Sequence, residues 1–323
     1  MPAAIVSIGK ARLPLRGYAA PMFATLLGAL PRPPLPIDAP PDALVEAALQ
    51  AQEAAGLDPV TDGGPPGDRD LARTWTATQR LTDRAVKQAV GGPYSATHGG
   101  AATPERARAT LDRATALNAA LRELAAAGCP LIEIHEPAAI AIGTDEAERA
   151  LFREAHLRLL AGVEGSHLSL ALTGGAADAA GIETLLAASY ASLAVDLIAG
   201  PENWRLVVAT PGDRGIVCGA LSPAVDSDDG PELLLWAAAY AASTGGRGPE
   251  RVGLAGASSF AHLPWEVAVR KLERLGDAAR LADEPLDTRV QALDPRAVSS
   301  RAAALGHVDP RPSQRPDQGD APT

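Results

Sequence analysis

The stretch GCPLIEIHEPAAIAIGTDEAE, Gly128 to Glu148, decides how the chain is read. Leu131 to Ile134 form a short apolar run with one charge, which suits a strand buried in a parallel sheet. Gly128 closes a long helical pattern just before it, as a glycine past a helix C-terminus does. The run then opens into His135, Glu136 and Pro137, and a new helical pattern begins at Gly143-Thr144. Two ionisable side chains thus fall where a strand ends and a loop starts. In an α/β barrel that is the catalytic face. The plainer alternative is that Glu136 pairs with a neighbouring arginine.

Working outward, the same alternation recurs. Strands are expected at Phe23–Leu30, Leu57–Val60, Val86–Val90, Ser166–Leu172, Leu193–Ile198, Ile216–Leu221 and Val252–Gly256. Helices are expected between them, the longest opened by Thr103-Pro104-Glu105, a cap followed by proline and an acid. Thr144 is the expected cap of the next helix. Eight short strands, each apolar on both faces and followed by a helix, predict an α/β fold of the (β/α)8 TIM-barrel type. A doubly wound open sheet is the runner-up, but no Gly-x-Gly-x-x-Gly follows a strand. The barrel domain is expected over 22–284. Residues 1–21 read as an irregular N-terminal segment, and 285–323 as an extended or disordered tail, proline-rich and polar from Pro310 onward.

A net charge of -10 argues against nucleic acid as a partner, because phosphate neutralisation needs a basic surface. Cys129 and Cys218 lie far apart and give neither a disulfide framework nor zinc-ligand spacing, so a reducing cytoplasm is expected. No signal peptide is evident, and the longest apolar run, Leu233 to Ala242, is too short to span a bilayer.

Polar residues at or near strand ends are the candidate site. They are Asp62, His98, His135, Glu136, His167, Ser169, Asp196, Ser258 and His262, and four of the chain's six histidines fall among them. Imidazole is the usual base or metal ligand near neutral pH. For any one histidine, a simple hydrogen bond to a loop carbonyl is the competing explanation. Glu136, His135, His167 and Asp196 are the expected catalytic groups, with the other five binding substrate at the C-terminal mouth.

An ordered set of landmarks resembles the C-terminal catalytic domain of cobalamin-independent methionine synthase, in the superfamily shared with uroporphyrinogen decarboxylase. They run from Leu27-Gly28-Ala29-Leu30-Pro31, through Ala51 to Asp58 and Thr61-Asp62-Gly63, to Gly92-Pro93-Tyr94-Ser95. Gly128-Cys129-Pro130, Glu136-Pro137-Ala138, His167 and Leu263-Pro264-Trp265-Glu266-Val267-Ala268 with Lys271-Leu272 complete the set. The resemblance implies a (β/α)8 barrel. It also implies zinc held by a histidine, two cysteines and a glutamate. Here those positions are read as His167, Ser169, Ser258 and Asp196, and a hydroxyl is a far poorer zinc ligand than a thiolate. No cofactor is therefore expected. A rebuilt site from His135, His167 and Asp196 would instead suit iron or manganese.

The family's amino-acid and folate contacts have changed as well: Ala29, Gly64, His135 and Gly99 replace a serine, an acid, an aspartate and a tryptophan. These departures argue against methionine synthesis itself. The expected function is a methyltransferase-like barrel enzyme acting on a small molecule, moving a methyl or other one-carbon or alkyl group. A non-catalytic barrel serving a protein partner, and a metal-free decarboxylase or lyase, are the alternatives.

Overall fold

The computed structural model describes residues 6–8, 11–13 and 22–284, apart from 69, 100–102 and 228–229. The stretch 285–323, read as a tail, lies outside the described residues. In the N-terminal stretch expected to be irregular, β1 (Val6–Ile8) and β2 (Ala11–Leu13) pair antiparallel.

The remaining elements alternate as the sequence implies. β3 (Met22–Ala24) is followed by α1 (Pro41–Ala55) and α2 (Leu71–Gln79). Then come β4 (Lys87–Gly91), α3 (Pro93–Thr97), α4 (Pro104–Ala126), β5 (Leu131–His135) and α5 (Glu146–Leu160). β6 (His167–Leu172), α6 (Ile182–Leu185), β7 (Ser192–Asp196), α7 (Trp204–Ala209) and β8 (Gly215–Leu221) continue the series. It closes with α8 (Pro231–Ser243), β9 (Val252–Gly256) and α9 (Trp265–Asp283). Thr103 caps α4 as expected, accepting from Arg106 N–H. The cap of α5 is Asp145 rather than Thr144, its carboxylate accepting from the amides of Ala147 and Glu148.

Seven of these strands form one curled parallel sheet in the order β3-β9-β8-β7-β6-β5-β4. The expected second strand, Leu57–Val60, contributes a single parallel bridge, Val60 to Val86. Pro59 explains part of this, since it has no N–H to donate to a ladder. The segment still touches both sheet edges. Asp58 N donates to Ala24 O at 3.0 Å, and Lys87 N donates to Val60 O at 2.9 Å.

Strand parity divides the core in two. Ile132, Ile134, Leu168, Leu170, Leu193 and Val195 face the helices and join the main apolar cluster. Leu27, Ala171, Ala194, Val217 and Ala255 form a second cluster on the concave side. The concave side therefore carries mostly small side chains, and any polar residue at an inward position is held in a narrow, buried column. No helix among the described residues is long and apolar enough to cross a membrane.

Candidate active site at the carboxyl end of the sheet

In β5 the inward positions are Leu131, Glu133 and His135. All three are buried. His135 ends the strand, and its Nε2 lies 2.8 Å from Glu133 Oε1. The other oxygen of Glu133 accepts from Lys87 Nζ, also at 2.8 Å. Lys87 starts β4 level with Leu131, so its stem climbs one step along the column to reach Glu133. Burial pulls the Lys87 ammonium below its usual range, with the Glu133 charge opposing. For Glu133 burial alone would raise the carboxyl, but the Lys87 charge and the His135 hydrogen bond outweigh it and bring it down to about 2.

His135 opens onto a cavity of about 450 Å³ at the carboxyl ends of the strands. Its walls are small and largely apolar, with Gly28, Ala29, Pro66 and Gly92 among them, and hydroxyls come from Ser95, Thr173 and Ser259. Ser95 and Ser259 are occupied: the first accepts from Ala138 N, the second from Ala29 N. Thr173 and the Nδ1 atom of His135 make no hydrogen bond among the described residues. Among the described residues no Asp, Glu, Lys or Arg side chain lines this cavity. A second cavity of about 330 Å³ is lined by Asp196, Ser258 and His262. The two adjoin, because Thr173 and Ser259 line the first while their neighbours Gly174 and Ser258 line the second.

The other expected site residues are placed differently. Glu136 follows His135 with opposite parity and is completely buried away from the cavity. Its carboxylate accepts from the amides of Tyr94 at 3.0 Å and Ser95 at 2.7 Å, satisfying the otherwise orphaned start of α3. It also lies 3.1 Å from His156 Nε2, whose Nδ1 meets the Tyr190 hydroxyl at 2.5 Å. A Cβ on Gly92 would fall 2.1 Å from Glu136 Oε1, so only glycine admits the carboxylate here. Burial, and then the Glu136 charge, raise the Tyr190 hydroxyl well above its usual range. Glu136 is a packing and capping residue in this geometry, which corrects the expectation that it faces the mouth.

His167 is corrected too. It begins β6, level with Leu131, whereas His135 is level with Ala171. Four residues of strand, about 13 Å, separate the two levels. Its Nε2 lies 2.8 Å from Ser192 Oγ at the amino end of β7. Ser169 lies inside the column beside Glu133, its hydroxyl buried without a partner. Asp62 lines a groove between α1 and α2 with Arg73 and Thr74, where burial raises its carboxyl. His98 is exposed just past α3, with its ring 5.6 Å from that of Tyr94.

Asp196 does end β7 at the mouth, but its oxygens accept from Gly174 N, Ile198 N and Ala199 N at 2.8–3.0 Å. It holds two loops in place. His262 is exposed and lies 3.1 Å from Pro223 O. Cys129 and Cys218 are buried, and burial pushes both thiols up to about 12. Neither is poised as a nucleophile or a metal thiolate.

These positions do not fit a zinc ion. Val195 is level with Leu172, which puts Asp196 level with Thr173, six residues above His167. That is about 20 Å along the sheet, against metal–ligand bonds of about 2 Å. The alternative set of His135, His167 and Asp196 fails for the same reason. Among the described residues no group of three or more His, Cys, Asp or Glu side chains is arranged to hold a metal.

Residues 50–169 match the sequence model of a family described as the catalytic domain of cobalamin-independent synthase. Among solved structures, a B12-independent methionine synthase from Shewanella sp. W3-18-1, in complex with selenomethionine, aligns with a TM-score of 0.65 at 16% identity, covering 84% of this chain and 99% of that one. A methyltransferase from Methanosarcina mazei aligns at 0.54 with 13% identity, covering 81% and 94%. No curated protein matches at the sequence level. The family resemblance carried by the ordered motifs is thereby borne out, and the structural likenesses establish a shared fold.

Proposed function

We propose that this chain, a divergent relative of cobalamin-independent methionine synthase, transfers a methyl or other small alkyl group between small molecules in the mouth cavity. The observation that carries this reading is His135 on the wall of the cavity of about 450 Å³, hydrogen-bonded to a buried carboxylate at 2.8 Å. An imidazole so placed can take the proton that an acceptor must lose before alkylation, or return one to a leaving group. No step is routed through zinc, whose inherited ligand positions do not converge. The lack of charged groups among the described residues of the cavity wall supports an acceptor other than a free amino acid. We also infer that residues 57–61 close the sheet into a (β/α)8 ring, on the strength of their hydrogen bonds to both edges. A soluble cytoplasmic enzyme that binds no nucleic acid and keeps no resident cofactor completes the proposal.

The test is transfer from ¹³C-methyl donors of the sulfonium and tertiary-amine classes to a panel of small acceptors, followed by NMR. His135→Ala should slow transfer by at least about 100-fold, the usual worth of a general acid–base group. Transfer untouched by that change defeats the reading, as does its absence across all donor–acceptor pairs.

One observation favours a second reading, a binding or partner subunit. Trp236 and Tyr240 on α8 are 48% and 40% exposed and stack on each other, and Trp204 of α7 meets both edge-on. If that face is what the protein is for, Trp236→Ala with Tyr240→Ala should abolish partner capture while His135→Ala leaves it intact. A third reading, a decarboxylase or lyase, would show as CO₂ release or bond cleavage without a methyl donor.

A further inference from the structure

We propose that Glu133 is the positioning residue of the mouth site, with Lys87 as its counter-charge, so that His135 offers Nδ1 as the base to a neutral small molecule bearing one weakly acidic X–H group. This rests on the reading of the mouth cavity as the reactive site and names what that site would take. A buried carboxyl with no cation or donor beside it would hold a proton, whereas Glu133 lies 2.8 Å from both Lys87 Nζ and His135 Nε2, which keep it ionised. An ionised carboxylate only accepts, so Nε2 must carry the ring proton. The lone pair of the neutral ring is then on Nδ1, the nitrogen without a partner among the described residues. Lys87 and Glu133 cancel, so the column is neutral before reaction. When X–H breaks, its electron pair stays on X and the proton bonds to Nδ1. The resulting imidazolium keeps Nε2–H on Glu133, and its new positive charge is balanced by the anion left on X.

The ligand class follows from the wall. Among the described residues Thr173 supplies the free polar group beside His135, and none of them brings a carboxylate, ammonium or guanidinium to the cavity wall. A zwitterion entering it would give up water at both charges and pair neither. A molecule with an apolar body and one acidic hydrogen gives up little.

The experiment uses the full chain labelled with ¹⁵N-histidine, read by long-range ¹H–¹⁵N correlation in mildly alkaline buffer. The expected spectrum shows Nε2 protonated and Nδ1 bare. Replacing the buried pair by apolar side chains of similar size, K87M with E133L, should raise the Nδ1–H share about fivefold, the ratio one net hydrogen bond controls. A wild-type ring protonated on Nδ1 overturns the proposal without any variant, and so does a folded double variant with an unmoved tautomer ratio. In the same sample phenol, which keeps its O–H in that buffer, should shift the His135 resonances, while anisole and glycine should not. A response to glycine, or to none of the three, overturns the ligand class. The two readings fail separately: a Nδ1-protonated ring with transfer still lost in His135→Ala sinks this inference alone, and the expected ring with no transfer sinks the proposed function.

Discussion

Glu136 and Glu133 sit three residues apart in the chain and have opposite fates, and strand parity is the reason. Counting back from His135, the inward residues are Glu133 and Leu131, while Ile134 and Ile132 pack against helices. Glu136 continues the outward set, and its carboxylate is consumed by two amides and a histidine. Position at a strand end alone pointed to Glu136. The alternation that would have pointed to Glu133 was present in the residues, but a single charge inside an apolar run reads as an exception until its partner is known. That partner, Lys87, is 46 residues away, and nothing local in the chain announces it. Two expectations follow. Glu136→Gln keeps the shape but loses the charge that two amides and His156 rely on, so it should cost about 1–3 kcal/mol in urea unfolding. The Glu133 carboxyl lies lower in the folded chain, near 2, than its ordinary 4.5. The stabilisation it lends is therefore complete above about pH 4.5 and lost as pH falls toward 2. K87M with E133L should flatten that acid limb; urea midpoints at pH 7 and pH 3.5 in both proteins would show whether it does.

At the scale of elements, apolar runs located the strands well because a parallel sheet covered on both faces leaves each strand little choice of residue. The direction of each strand is equally legible, yet His167, expected at the mouth, lies at the opposite end of its strand. A polar residue beginning the run Ser166–Leu172 lies at the amino end, and only its register with Leu131 makes the level plain. The inward positions near the mouth end of β6 are Ala171 and Thr173, neither of which draws notice in a search for chemistry. Helix packing was less legible still. Gly276 lies inside α9, where glycine is unfavourable, and a Cβ there would approach Ala55 O of α1 to 1.7 Å. The glycine lets α9 cross the end of α1 in contact. Gly276→Ala gains helix propensity but must push the two helices apart, so it should destabilise by about 1–3 kcal/mol in the same unfolding measurement. A variant as stable as the parent would mean that this crossing is looser than the contact distance implies.

For the molecule as a whole, the eightfold count read from the sequence and the seven-stranded ladder of the structure differ at one place, the segment from Leu57 to Thr61. What decides between a ring and an open curl is whether this segment holds its hydrogen bonds on both sides. Asp58 N reaches Ala24 O on β3, and Thr25 Oγ1 donates to Pro59 O at 2.8 Å. On the other side Val60 N reaches Ala85 O at 2.9 Å and accepts from Lys87 N at its carbonyl. The base of the Lys87–Glu133–His135 column is thus anchored through a backbone bond made by this segment. If the ring is closed in solution, the amides of Asp58, Val60 and Lys87 should exchange with deuterium as slowly as those in the middle of β5 and β6. Fast exchange at Asp58 and Val60 alone would mean an open sheet with a frayed edge. The same experiment on Val60→Pro, which deletes the donor to Ala85 O, should speed exchange at Lys87 by at least about tenfold, the effect of weakening local closure by roughly 1.4 kcal/mol. Because Lys87 carries the counter-charge of Glu133, the ¹⁵N signals of His135 should move in that variant as well. Loss of protection at Lys87 with an unchanged His135 ring would separate ring closure from the chemistry at the mouth.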